Sequence, residues 1–381
     1  MTLLLLNYEY PPLGGGAGVC SKYHAEGLAK MGYHVVVITT WFKTEEEIEK
    51  KENLTIYRLK SIRKHIHKSN PIEMLSWVRE TKIFLRKHIK STSYKLCLAN
   101  FAIPCGLVSI WAKKKYNIPY IIISHGQDIP WFFPKQLFFY HLINYKRIQN
   151  ILKNSARNIL LTKMMKKRAD KMLPQGDRKK NVIIPNGTDI HFFSAKKNPP
   201  DEFRLLFSSR LVQQKRAFVF LKALKLLKQK GLCFKADIVG DGPLRKPMEQ
   251  FVRKNKLGND VIFHSWISKD DLLSFYHNAA LMIITSAEEA MSLALLEALN
   301  CGLYTITTPV SGSKEMIIEK VNGDFINFED YHELVEKMSG FKKDYFDKKY
   351  TVPKEAIEII KKKYNWEKIV KEYANLIDQI I

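Results

Sequence analysis

Short apolar runs recur along the whole chain, each followed by a stretch with helical periodicity. In the first half LLLLN (3–7) precedes a glycine loop and a helical stretch at 19–31, and VVVITT (35–40), LTIYRL (54–59), LCLAN (96–100) and YIIIS (120–124) follow. A basic helical stretch at 73–90 lies among them. Strands apolar on both faces, alternating with helices, predict parallel sheets buried beneath helices. The pattern restarts near residue 200. FRLLFSS (203–209), FKADIVG (234–240), VIFHSW (261–266), LMIITS (281–286) and YTITT (304–308) alternate with helical stretches, and Gly231 stands where the helix over 219–231 should be capped. The last 16 residues, WEKIVKEYANLIDQII, form an amphipathic helix.

The restart predicts an α/β chain of two doubly wound domains, and 381 residues suit that number at about 100–200 residues per domain. The expected division is 1–190, 191–365 and a terminal helix over 366–381. VIIPNGTDIHFF (182–193) ends the first domain, and SAKKNPPDEF (194–203), with Pro199 and Pro200, leads into the second. Two such domains are expected to face each other across a ligand-binding cleft.

A hydrophobic fraction of 46% excludes disorder as the main state. Five cysteines without a CxxC pair argue against a disulfide scaffold or a zinc ribbon and for a reducing cytoplasm. MTLLLLNYEYPP lacks the basic start and apolar length of a signal peptide, and no apolar run approaches the ~20 residues of a membrane span. The charge is uneven. Residues 1–190 hold 32 Lys and Arg against 13 Asp and Glu, a net +19 of the total +24. The first half is therefore expected to meet an acidic partner, with nucleic acid and an anionic membrane both open.

Four motifs carry candidate chemistry. Gly14 to Gly18 follow the first strand and open a helix, where exposed N–H groups suit an anion. The dinucleotide fingerprint fails at Val19, and the second strand ends at Trp41 without an acid for a ribose, so a nicotinamide cofactor is not expected. SHGQD (124–128) places His125 at the carboxyl end of a strand. SRLVQQK (209–215) places Arg210 and Lys215 after the first strand of the second domain, where two cations can neutralise a diphosphate. EAMSLALLE (289–297) sets Glu289 and Glu297 eight residues apart across a helix start. The N–H groups of Met291, Ser292 and Leu293 offer an anion site there, and the carboxylates can accept hydrogen bonds from sugar hydroxyls.

With PNGTDIHFF, IVGDGPLR (238–245), FHSWISKDDLLSFYHNA (263–279), EALNCG (297–302) and the WEKIVKEY helix, these motifs run in an order that resembles the retaining GT-B glycosyltransferases, the group 4 bacterial sugar transferases. The resemblance covers nearly the whole chain and implies two Rossmann-like domains with the C-terminal helix crossing back onto the first. It implies that Arg210 and Lys215 bind the donor diphosphate, that Glu289 positions the donor sugar, and that Glu297 holds the ribose. His125 would reach the sugar, Gly16 would close over the phosphates, and Trp266 and Ile267 would lie near the base. Gly15, Gly16 and Asp128 would stand on the acceptor side.

The implied activity is metal-independent hexosyl transfer from a nucleotide-diphosphate sugar, expected to be a UDP-sugar, with no cofactor. The implied acceptor is a glycan or a lipid-linked sugar of lipopolysaccharide or other cell-surface polysaccharide synthesis. The chain departs from the family pattern at Ser209, Ser265, Ala290-Met291 and Tyr304, none of which removes a charged contact. A same-fold epimerase or phosphorylase, and a nucleic-acid-binding protein, are the alternatives; no nucleic-acid-binding module accompanies the charge. KIFLRKHIK (82–90), Lys113 to Lys115 and KMMKKRADK (163–171), with Trp131 to Phe133 and Phe138 to Tyr140, suit an anionic membrane. That predicts a cytoplasmic protein held peripherally at the inner face of the plasma membrane.

Overall fold

The computed structural model describes residues 1–381 apart from 44, 67, 68, 134–136, 196–200, 266, 348 and 349. Trp266 and the linker residues Pro199 and Pro200 thus lie outside the described residues. The chain divides into two units, residues 1–186 with 366–381, and residues 187–365.

The first unit runs β1 (Thr2–Leu6), α1 (Gly16–Lys30), β2 (His34–Thr40), β3 (Ile48–Lys51), β4 (Leu54–Leu59), α2 (Pro71–His88), β5 (Tyr94–Asn100), α3 (Gly106–Tyr116), β6 (Tyr120–Ile123), α4 (Phe138–Asn154), β7 (Arg157–Leu160), α5 (Lys163–Asp170) and β8 (Asn181–Ile183). Its sheet has the order β3-β4-β2-β1-β5-β6-β7-β8. All pairings are parallel except that of β3 with β4. Leu3 to Leu6 are wholly buried at the centre, with Leu4 beside Val36 on one flank and Cys97 on the other. Full burial of one such leucine contributes roughly 1.5–3 kcal/mol. Strand β3 (IEKK) is an exposed, charged edge strand with no alternation to betray it, so the sequence pattern reads it as a polar connection.

The second unit runs β9 (Arg204–Ser208), α6 (Ala217–Gln229), β10 (Lys235–Val239), α7 (Arg245–Lys254), β11 (Val261–His264), α8 (Lys269–Asn278), β12 (Leu281–Ile284), α9 (Leu293–Asn300), β13 (Thr305–Thr307), α10 (Ser313–Met316), β14 (Gly323–Phe325), α11 (Tyr331–Asp347) and α12 (Lys354–Lys363). Its sheet is parallel, in the order β11-β10-β9-β12-β13-β14. Gly231 follows α6 as expected: its N–H donates to Lys228 O, and that of Leu232 to Leu227 O. The division falls at 186/187 rather than at 190/191. The reason is local: Thr188 N–H donates to Tyr364 O at 2.6 Å, and Thr188 bridges Asn365, which ties the segment after Asn186 to the second unit.

The final helix, α13 (Trp366–Asp378), belongs to the first unit and packs on α1. Trp366 stacks on Tyr23 with centroids 4.8 Å apart. The two helices approach so closely at Gly27 that a Cβ there would lie 2.5 Å from Val370 Cγ2. Gly27→Ala is therefore expected to destabilise the first unit by about 1–3 kcal/mol, more than the helix propensity it gains. Val370→Ala in the same chain should restore much of the loss. Thermal unfolding of the two variants checks this, and an unchanged midpoint in Gly27→Ala would contradict the close approach.

Candidate functional site

Strand order locates the chemistry. In the second sheet the order reverses between β9 and β12, and in the first between β1 and β5. Loops leaving the carboxyl ends of the strands at such a reversal diverge and leave a crevice. Arg210 and Lys215 lie on the loop after β9, and Glu289 on the loop after β12.

These two loops are joined by an ion pair. Lys215 Nζ stands 2.7 Å from Glu289 Oε1, with the two side chains 13% and 14% exposed. The backbone around the pair is fixed as well. Thr285 Oγ1–H donates to Lys215 O at 2.8 Å and lies 3.1 Å from Arg216 O. Gln214 Nε2 donates to Glu288 O at 2.6 Å. Arg216, at φ +50°, holds the left-handed conformation that turns the chain into α6. Glu289 Oε2 is buried and accepts no hydrogen bond from any described residue. A buried carboxylate oxygen without a donor is costly, and a hydroxyl group of a ligand would satisfy it.

Arg210 is half-buried, and its guanidinium makes no hydrogen bond or ion pair with any described residue. Its neighbour Leu211 is clamped by the loop after β10: Leu211 N–H donates to Asp241 O at 2.8 Å, and Leu244 N–H to Leu211 O at 3.0 Å. That loop can lie so close only because Gly240, at φ +131°, has no Cβ; one would sit 2.0 Å from Ser209 O.

Glu297, on α9, accepts from the Tyr276 hydroxyl at 2.8 Å. Burial raises its pKa to about 7, with the Tyr276 hydrogen bond and the Lys269 charge opposing the rise. The Tyr276 hydroxyl also interacts with the side chain of Ser208, two residues before Arg210, so Glu297 is tied to the same strand end. Ser292 caps α9, its side chain accepting from Leu295 N–H at 3.4 Å. At a helix start the N–H groups of Leu293 and Ala294 have no helical acceptor and remain available to an anion. Met291 is buried beside them, and Ile267 is half-buried beyond β11.

In the first unit Gly15 caps α1 without a side chain and Gly16 begins it, exposed, on the loop after β1. His125 follows β6, its Nε2 2.9 Å from Asn100 Oδ1 at the end of β5. The Asn100 amide nitrogen donates to Leu6 O, so its oxygen faces the ring and the histidine must carry its proton on Nε2. Burial lowers the His125 pKa to about 4, which keeps the ring neutral at pH 7 and leaves Nδ1 as an acceptor. Asp128, expected on the acceptor side, is engaged by the backbone. It is 5% exposed, and its two oxygens accept from His125 N–H and Ala102 N–H, both at 3.0 Å. It is a structural clasp that holds the His125 turn against the segment after β5. Among the described residues no three His, Cys, Asp or Glu side chains gather to hold a metal ion.

Tyr276, Thr285 and Gln214 belong to this machinery and escape sequence reasoning. Each acts through side-chain hydrogen bonds to a distant segment, and spacing along the chain carries no sign of them.

The model of Glycosyltransferase Family 4 matches residues 14–192, and that of Glycosyl transferases group 1 matches residues 189–366. The chain belongs to the group 1 glycosyltransferases of GT-B fold. Among similar structures, sucrose-phosphate synthase from Thermosynechococcus elongatus has a TM-score of 0.85 at 19% identity, over 100% of this chain and 99% of that one. HepE from Anabaena, in complex with UDP-glucose, has a TM-score of 0.76 at 18% identity over 100% of both chains. The lipopolysaccharide 1,2-N-acetylglucosaminetransferase of Salmonella typhimurium is 26% identical over 58% of this chain and 61% of its own.

The raised pKa of Glu297 has a definite sign. A carboxyl whose folded pKa lies above its ordinary value stabilises the fold while protonated. That contribution is full below about pH 4.5 and is lost as pH rises through about 7. Glu297→Gln, which stays neutral, should therefore gain stability over the wild type as pH rises from 4.5 to 8, by up to about 3 kcal/mol. Melting temperatures of both proteins across this range check it; a constant difference would contradict the raised pKa.

Proposed function

We propose that this glycosyltransferase moves a hexose from a UDP-sugar to a glycan or lipid-linked acceptor in cell-surface polysaccharide or glycolipid synthesis, with retention of anomeric configuration and without a metal. One observation carries the donor side: the Lys215–Glu289 pair, with its unsatisfied carboxylate oxygen, stands at the strand-order reversal that also presents Arg210. The UDP-glucose complex of HepE supports the choice of uridine. The Salmonella enzyme, which by its name acts on lipopolysaccharide, supports the acceptor class.

In this reading Arg210, Lys215 and the first N–H groups of α9 take up the charge that develops on the departing diphosphate. Fixed donors of this kind need no reorganisation during the reaction. The bond between the anomeric carbon and the phosphate oxygen breaks, and its electron pair leaves with the diphosphate. The acceptor hydroxyl attacks from the same face, and its proton passes to the departing phosphate oxygen. Glu289 holds the sugar hydroxyls through Oε2, and Glu297 holds the ribose. His125, in the first unit, is neutral with its Nε2 proton engaged by Asn100, which leaves Nδ1 free to accept from a hydroxyl group.

The test is transfer of label from UDP-glucose and related nucleotide sugars to a lipid and glycan extract, with EDTA present. Wild-type protein should transfer label, with an α-linked product from an α-linked donor. Glu289→Ala should lose roughly two to three orders of magnitude in rate while the protein stays folded. Wild-type rates in that variant would refute its role, and isomerisation of the donor without acceptor would point instead to an epimerase.

A further inference from the structure

The basic and aromatic segments of the first unit do not share one fate in the structure. Phe133 is core at 5% exposure, and Trp131 and Phe132 are half-buried. Lys82, Arg86 and Lys115 gather around the Trp111 ring on α2 and α3, and Lys113 donates to Asn154 O. Helix α4 behaves differently. Its inner face holds His141, Ile148, Ile151 and Leu152 in the core. Its outer stripe is apolar for two turns and then cationic. Phe139 is 77% exposed, Ile143 78%, and Leu142 lies between them; Lys146 and Arg147 follow, also exposed.

Cations border this apolar end on a second side. The Trp131 ring stacks on Tyr145 of α4 at 5.3 Å and lies 5.7 Å beneath the Arg168 guanidinium of α5. Arg168 Nε donates to Pro130 O at 3.0 Å, and Gln149 of α4 donates to Met172 O at 2.6 Å. Helix α5 is thereby fixed beside α4. It lines a hollow of about 370 Å³ with Lys163, Lys166, Lys167, Lys171 and Arg178 around it. The acid there, Asp170, is occupied by Lys166 at 2.8 Å and Asn181 at 2.8 Å. Lys167 and Lys171 are exposed and pair with no described carboxylate.

From this we infer that the first two turns of α4 and the adjoining cations of α5 form a docking surface for an anionic lipid bilayer. Phe139, Leu142 and Ile143 enter the headgroup–acyl boundary, and the lysines of α5 meet lipid phosphates, the combination by which an interfacial helix binds. The occupant follows from charge complementarity. A second copy of the chain would bring a like-charged surface against this one, since residues 1–190 carry a net +19. A polynucleotide would leave the aliphatic Leu142 and Ile143 without a partner. Placement supports the same occupant. Helix α4 starts after β6 and α5 after β7, so both begin at the carboxyl edge of the sheet, the edge that carries His125. No helix of the described residues is long and apolar enough to cross a membrane, so the contact is interfacial.

Co-sedimentation of the full chain with vesicles of phosphatidylcholine, with or without phosphatidylglycerol, tests this. The wild type should pellet with the anionic vesicles and stay in solution with the neutral ones. Phe139→Asp with Ile143→Asp, and separately Lys167→Glu with Lys171→Glu, should each lower the pelleted fraction by about tenfold or more. All four side chains are exposed, so melting temperature and UDP binding should stay at wild-type values and show that the fold survives. Absence of wild-type binding to anionic vesicles would overturn the inference, and so would wild-type binding by both variants. A wild-type dimer that becomes monomeric in Phe139→Asp/Ile143→Asp, seen by light scattering, would instead assign the surface to contact between copies.

Discussion

One ion pair, Lys215 to Glu289, joins the loops that leave β9 and β12, and the arrangement of the two loops rests on it. Lys215 closes a single 3-10 turn, Gln213–Lys215, and Glu289 lies in irregular chain. Each loop is shaped by what the other offers: Thr285 ties down the backbone of Lys215 and Arg216, and Gln214 ties down Glu288. A buried ion pair is an expensive way to join two loops, because both groups lose water and only good geometry compensates. Retaining it makes chemical sense where a cation must be delivered to a diphosphate and a carboxylate to a sugar. In the proposed reading the two halves of one substrate meet the two partners of one pair, so binding of the diphosphate and placement of the sugar are coupled through it.

The two sheets set up this arrangement by the same rule. Both are doubly wound, and in both the reversal of strand order opens the loops that carry polar side chains. The first unit presents a glycine-rich helix start there and, after the next strand, β6, a neutral histidine; the second presents cations and carboxylates. Asp128 and Tyr276 show how such groups are held. Asp128 spends both oxygens on backbone N–H groups to fix the His125 turn, and Tyr276 links Glu297 to the end of β9.

Much of this is legible in the sequence, for definable reasons. Strands buried on both faces announce themselves as apolar runs, so β1, β2, β5, β6, β10 and β12 are plain. Strand β3 is charged and exposed and gives no such signal. Glu289, Arg210 and Lys215 stand out as charged residues following apolar strands, and Glu297 as a carboxylate among the apolar neighbours Ala294, Leu295, Leu296 and Ala298. Whether such a residue faces a ligand or the backbone is a matter of three-dimensional partners, and this is why Asp128 reads as a site residue and Tyr276 does not. The basic excess of residues 1–190 is equally visible, but only exposure separates the lysines of α5, beside Phe139 and Ile143, from those gathered on Trp111.

Nucleotide binding probes the proposed donor site most directly. A thermal-shift panel of nucleoside diphosphates and nucleotide sugars reads that binding by mass action, about 2.7 kcal/mol of stabilisation at a hundredfold excess over Kd. UDP and at least one UDP-sugar are expected to raise the melting temperature of the wild type, and Arg210→Ala with Lys215→Ala is expected to abolish the shift. A wild-type protein that no nucleotide stabilises would contradict the proposed donor site.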